Sequence, residues 1–507
     1  MPAGVNQTIA KNTFALYIRM LFLMVVNLYT SRVILDALGV QDYGVYNAVA
    51  GFIAMFSMIS ASLSTAISRF IAFVLGQGDV RKLHKVFCTS LTIQVSIALI
   101  VVALVEIFGV WFLNAKMTVP DGREVAANWV LQLSLVTFVI NLLNAPYNAA
   151  LIAHEKMSAF AYIGIFEGCA NLAVAYLVMM LQFDKLISYA ALICLVALIT
   201  RIMYAVYCKS NFEECAFSLI FDKGLFQEMF SFAGWNFVGS ASGLLREQGI
   251  NILFNIYYGP VVNAARGLAS QVDAAVNKFT GNFFTAVQPQ ITKSYAHSQF
   301  DDAHALVLRS SRLAFFMMMA IVLPVISETD FLLGIWLKDV PEHTVAFVRI
   351  VLLSSLFQTF SQPLIHLMLA TGNIRKYQLV VGSVNILNFP VAWFVLAVGG
   401  SPELSLLTVV VFSIISLLFR VVMLRPMTGF PGSHFMVAVV FRCLCVFSVC
   451  SVPAICFSFL MPLGVIRFML NSLVTECLLA TLVYFIGLDS SERAYIVAKL
   501  KTVVRNR

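Results

Sequence analysis

The stretch GLLREQGINILFN at positions 243–255 places Arg246, Glu247 and Gln248 inside a long apolar run. Charge buried in hydrocarbon is costly unless it is paired or hydrated, so these residues must face protein or water. They belong to a pattern. Asn236, Ser240, Gly243, Glu247, Asn251 and Asn255 recur every three or four residues and share one helical face. The next apolar stretch carries a second stripe at Asn263, Arg266, Ser270, Asp273 and Asn277, with Lys278 beside it. The first stretch has a sparser one at Asn12, Arg19 and Asn27, with Arg32 a turn beyond. Two successive stripes over several turns point to a hydrated cavity. The bland reading for any one residue is interhelical glue, such as Arg246 with Asp273 or Glu247 with Lys278.

Residue type suggests the chemistry. The guanidinium fork binds phosphate oxygens bidentately and stays charged when partly desolvated. Arg19, Arg32, Arg246, Arg266 and Lys278, with Asn263, Ser270 and Asn277 as neutral donors, would make a lining for an anionic group. Glu247 and Asp273 are the candidates for holding a coupling Na+ or H+. No catalytic nucleophile motif, metal-ligand cluster or phosphate-binding glycine loop is visible, so the expectation is a non-enzyme without a metal or organic cofactor. The ten cysteines lie mostly in apolar stretches with no C-x-x-C pair and read as packing residues.

The elements that must position these groups are membrane helices. Of 507 residues 60% are hydrophobic and 11% charged, with mean hydropathy +0.90; soluble domains carry about 25% charged residues. Fourteen stretches are long enough to cross a bilayer: 13–35, 44–68, 86–113, 128–152, 159–182, 187–208, 230–257, 261–289, 310–327, 344–370, 378–398, 404–424, 436–460 and 464–487. They do not alternate at period two, so the expected class is all-α polytopic rather than a barrel. The first stretch is longer than a signal peptide, carries Arg19 and Arg32, and lacks a cleavage site. Eleven of the 33 Lys and Arg residues fall inside spans. Arg201, Arg312, Arg349, Arg420 and Arg467 lie near span ends and are expected to snorkel to headgroups. Pro146, Pro324, Pro363, Pro390 and Pro453 lie within spans and permit bends.

Loops on the side of the N-terminus hold 18 Lys and Arg residues and the opposite loops hold 4, which puts both termini in the cytoplasm. The net charge of +8 is thus membrane-surface charge, with membrane lipids as partners and no nucleic-acid site. Residues 488–507 read as a basic amphipathic tail on the cytoplasmic leaflet, with Asp489 and Glu492 spaced as a cap pair. No loop can hold a soluble domain.

The chain also repeats. NLAVAYLV (171–178) and NFPVAWFV (388–395) share four residues at an offset of 217, which also carries Pro146 onto Pro363; Arg201 and Arg420 differ by 219. This predicts six-helix lobes at 1–215 and 216–425 in the same orientation, two added helices at 426–487, and alternating access with the site in the cleft between lobes.

At this point LGVQDYGVYNAV (38–49) resembles the L-G-x-x-x-Y-G-x-Y signature of polysaccharide repeat-unit flippases, the O-antigen and capsule family. SRFIAFVLGQGD (68–79) is similar to the family's loop after helix 2, and NAARGLASQV (263–272) with QPQITKSYA (288–296) resembles its second half. The likeness covers roughly 10–425. It implies a member of the multidrug/oligosaccharidyl-lipid/polysaccharide exporter superfamily in a bacterial inner membrane. The substrate would be a polyprenyl-pyrophosphate-linked oligosaccharide, turned to the periplasmic leaflet for lipopolysaccharide or capsule synthesis alongside polymerase machinery. In that family cleft arginines on helices 1, 2 and 8 hold the pyrophosphate. Arg19, Arg32 and Arg266 occupy such places, whereas helix 2 has only Arg69 at its cytoplasmic end, which departs from the lipid II pattern. Two alternatives remain: a cation-coupled multidrug exporter, and a membrane glycan polymerase or ligase.

Overall fold

The computed structural model describes the backbone of residues 3–54, 56–115, 122–216, 218, 222–258, 260–337, 340–488 and 492–493. The side chains of Arg32, Gln248, Asn255 and Asn263 lie outside the described set, as do tail residues 489–491 and 494–507. Among the described residues every regular element is a helix.

In chain order the long helices are α1 (Ala3–Ala54), α2 (Ser57–Gln77), α3 (Val80–Ala115), α4 (Glu124–Ala153), α5 (Met157–Met180), α6 (Lys185–Asn211), α7 (Lys223–Tyr258) and α8 (Pro260–Ala296). They continue with α9 (Phe300–Ser327), a short α10 (Thr329–Trp336), α11 (Thr344–Thr371), α12 (Arg375–Ala397), α13 (Pro402–Thr428), α14 (Gly432–Phe457) and α15 (Val465–Gly487). Most of the fourteen apolar stretches coincide with one of these helices, but 44–68 is divided between the end of α1 and the start of α2. Ten of the helices, α3 to α6, α9 and α11 to α15, are long and apolar enough to cross a membrane. The striped helices α7 and α8 are not among the ten. The protein is thus an all-helical, multi-pass membrane protein. The five prolines expected within spans all sit in continuous helices.

Short motifs set where helices bend and stop. Gly39, at φ 76° and ψ 166°, breaks α1 inside LGVQDYGVY; a side chain there would meet the steric penalty of the left-handed region. Three residues on, Asp42 pairs with Arg123, which also reaches Asp184 Oδ2 at 2.5 Å. Asp184 caps α6 by accepting from the amides of Leu186 and Ile187. Burial alone would raise its carboxyl, but the Ile187 amide, Arg123 and the Leu186 amide outweigh that and hold it below the usual range. In LGQGD, Gly78 ends α2, and Asp79 starts α3 by accepting from Lys82 N at 3.0 Å. QPQITKSYA works similarly, since Gln290 and Lys293 both hold Glu155 at the α4–α5 turn, each at 2.5 Å.

The chain forms two compact units. One comprises Met1–Ser240, Thr285–Gln299 and Gly372–Arg375; the other comprises Ala241–Phe284, Phe300–Thr371 and Lys376–Arg507. In the N-terminal unit α1 lies along α5, α4 along α6, and α2 against α4. Its core joins Val33, Ile34 and Leu38 of α1 to Val174 and Val178 of α5 and Tyr189 of α6. In the C-terminal unit α11 packs on α9 and α13, and α14 pairs with α15. Phe315 stacks on Phe360 at 4.6 Å and Phe254 on Phe347 at 5.3 Å. Apolar side chains such as Leu99, Ile107, Trp111, Val422 and Phe441 remain exposed, as lipid-facing helices require.

Three arginines expected to snorkel instead find acids. Arg467 is 7% exposed and lies 2.9 Å from the wholly buried Glu328. Arg349 meets Asp330 and Arg312 meets Glu492, both at 2.7 Å. A carboxylate within reach of a half-buried guanidinium is a better partner than a distant headgroup. Glu492 also binds Arg309 Nε at 2.7 Å.

Candidate functional site

The predicted residues divide between the two units. Arg19 belongs to the N-terminal unit, where its guanidinium lies 4.2 Å above the Phe160 ring. It abuts Gly164, where any Cβ would collide with it, and it is within electrostatic reach of Glu167 and Tyr204. It is held among α1, α5 and α6. Arg201 is treated alike, 4.0 Å above the Tyr147 ring, rather than reaching for headgroups.

Arg246, Glu247, Arg266, Ser270, Asp273 and Asn277 come together in the C-terminal unit, as the facing stripes on α7 and α8 require. Arg266 is 6% exposed and donates from Nη1 to Ser270 Oγ at 2.8 Å. One turn on, Asp273 Oδ1 accepts from Ser355 Oγ at 2.5 Å and from Asn277 Nδ2 at 2.9 Å. Asn277 also donates to Ser355 at 3.0 Å, closing a three-membered ring of neutral partners around the carboxylate. Arg266 and Glu247 are near enough to Asp273 to act on it electrostatically. No Lys or Arg among the described residues lies within ion-pair distance of it. Neither Arg246–Asp273 nor Glu247–Lys278, the pairs of the interhelical-glue reading, forms among the described residues. Arg246 points to Asn385 Oδ1 instead, at 3.4 Å, because it lies about 100° round α7 from the Glu247 stripe. Glu247 and Lys278 are both exposed.

A small polar cavity of about 70 Å³ adjoins Arg246, walled by Gln358, Ser361, Asn385, Ser416 and Arg420. Arg420 donates to Ser361 Oγ at 3.0 Å and to Tyr377 Oη at 3.3 Å. The sequence places Arg420 near a span end and expects it to snorkel, whereas here it bonds within the unit. The N-terminal unit holds a larger cavity of about 180 Å³, apolar at Tyr46, Ile53, Phe138 and Ile193 with Ser134 and Asn141 at its edge.

Asp273 is thus a half-buried carboxylate held by neutral hydrogen-bond donors, with no salt bridge among the described residues. Arg266 beside it is a fixed positive charge. Together they form a site whose net charge changes with occupancy. No group of three or more potential metal ligands occurs among the described residues.

Residues 14–177 match the MatE family model. An outward-facing multidrug resistance MATE family transporter of the MOP superfamily superposes with a TM-score of 0.71, at 13% identity over 84% of this chain and 96% of that one. MATE in its bent conformation gives 0.73, again at 13% identity, over 84% and 96%. The fold is that of the MATE transporters. A MOP superfamily transporter from Pyrococcus furiosus Vc1 (DSM3638), described as having a binding pocket of reverse polarity that suggests a different function, gives 0.69 at 12% identity over 86% and 99%. No curated protein matches the chain.

Proposed function

We propose that this protein is a cation-coupled exporter working by alternating access in a bacterial inner membrane, with both termini cytoplasmic and fourteen spans. The match of residues 14–177 to the MatE model, together with a MATE transporter fold over 84% of the chain, carries this reading. It favours the multidrug exporter over the glycan flippase that the sequence motifs first suggest. Asp273 is the coupling group: Na+ or H+ binds its free lone pairs and cancels its charge, leaving Arg266 uncompensated. Glu247, exposed beside it, is the entry carboxylate. Substrate and cation then compete for the same electrostatic balance, which is how one gradient drives the other. A glycan polymerase or ligase has no support in this fold.

Export of a polyprenyl-pyrophosphate-linked glycan is the second reading, favoured by one observation. Arg266 is buried with its Nε unpartnered, so it has a free donor for a phosphate oxygen. The P. furiosus transporter of this fold, with its pocket of reverse polarity, is a precedent for a departure from the usual substrate. Purified protein in liposomes separates the two. Under an imposed ΔpH or Na+ gradient, the exporter moves an organic cation such as ethidium. A flippase instead moves a fluorescent pyrophosphate-linked oligosaccharide between leaflets and leaves ethidium untouched.

A further inference from the structure

The 70 Å³ cavity beside Arg246 has a composition that the export reading does not use. Arg246 from α7 and Arg420 from α13 both line it; Glu247 beside Arg246 offsets part of its charge, while Arg420 and Arg266 are close enough to repel it. In the same unit Arg312, Arg349 and Arg467 each have a carboxylate within 3 Å, whereas Arg246 and Arg420 bond only to Asn385, Ser361 and Tyr377, all neutral. No acid among the described residues lies within ion-pair distance of either. Two donors are left over: Arg246 Nε and the Ser416 hydroxyl are buried without a hydrogen-bond partner, and Ser416 is 1% exposed. Ser361 accepts from Arg420 and keeps its own proton to donate.

Two like charges and spare donors around a small, partly open space are the complement of an anion. Size narrows the class. At about 70 Å³ the cavity suits a halide or a few waters better than a pyrophosphate ester with its attached chain. A monovalent ion also costs less to desolvate than phosphate. We infer that this cavity is a binding site for a chloride-sized monovalent anion, held by Arg246 and Arg420, which ties α7, α11, α12 and α13 together. The inference stands whatever the protein exports.

Thermal unfolding of the purified full chain in detergent tests it. Starting in sodium gluconate at constant ionic strength, chloride and bromide should each raise Tm along a saturating curve. Arg420→Gln should weaken the apparent Kd at least about tenfold, as loss of one charge-assisted contact implies, while Arg420→Lys, which keeps the charge, should retain saturation. Should the glutamine variant fail to fold, bromide-soaked crystals of the wild-type protein should show an anomalous peak between the two guanidinia. Equal, unsaturating responses to chloride and gluconate, stabilisation by inorganic phosphate alone, or no bromide peak would each overturn the assignment.

Discussion

Arg201 and Arg420 stand 219 residues apart at matching places in the repeat, yet their surroundings differ. In the N-terminal unit Arg201 lies over Tyr147 and Arg19 over Phe160. In the C-terminal unit Arg420, Arg266 and Arg246 meet Ser361, Ser270 and Asn385. An aromatic face holds a guanidinium through its quadrupole and excludes water, so the charge is fixed and serves the fold. Hydroxyls and amides hold it by directional hydrogen bonds and leave the faces of the guanidinium uncovered. The same residue type thus meets aromatic rings in one unit and hydroxyls and amides in the other.

The largest way to break this contrast is Arg19→Ala. Losing the cation–π contact and leaving Glu167 without a nearby positive charge should destabilise the purified protein by about 2–4 kcal/mol, read as a fall in Tm and in membrane accumulation. Unchanged stability with lost transport would assign Arg19 to transport instead. Arg266→Ala should do the reverse: transport falls at least about tenfold, or about 1.4 kcal/mol, while Tm barely moves. Tyr147→Leu should cost about 1 kcal/mol by removing the ring under Arg201, and Tyr147→Phe much less; equal effects would mean packing rather than cation–π holds Arg201.

The smallest effect concerns Glu214, between α6 and α7. Burial would raise its carboxyl, but His154 Nε2 at 2.5 Å and the charges of His154 and His84 bring it below the usual range. A depressed carboxyl stabilises the fold above its unfolded value near 4.5 and loses that contribution as pH falls through the folded value. Stability should therefore drop on acidification below about pH 4.5, by under about 1 kcal/mol for this group, and Glu214→Gln should flatten that part of the curve in a pH series of Tm.

Much of this was legible in the sequence. The helix class followed from apolar run length, though not the fusion of the first stretch with part of the second in α1, and the period of the α8 stripe put Arg266, Ser270, Asp273 and Asn277 on one face. Partners were not legible, because a stripe gives a face and not what packs against it: Ser355 and Asn385 arrive from α11 and α12, over 75 residues away. Arg19 shows the same limit, since nothing near it in sequence announces Phe160 or Gly164. The loop motifs were readable as signatures, but their work, Gly39 breaking α1 and Lys293 holding Glu155, needed coordinates.

The central claim is that Asp273 couples a cation to export. The most direct measurement is gradient-driven ethidium efflux in proteoliposomes, comparing wild type with Asp273→Asn at equal reconstitution. The wild-type protein should export under an imposed ΔpH or Na+ gradient and stop when the gradient is collapsed, while the variant should show no gradient-dependent export and an unchanged Tm. Gradient-driven export by the variant at the wild-type rate would contradict the account.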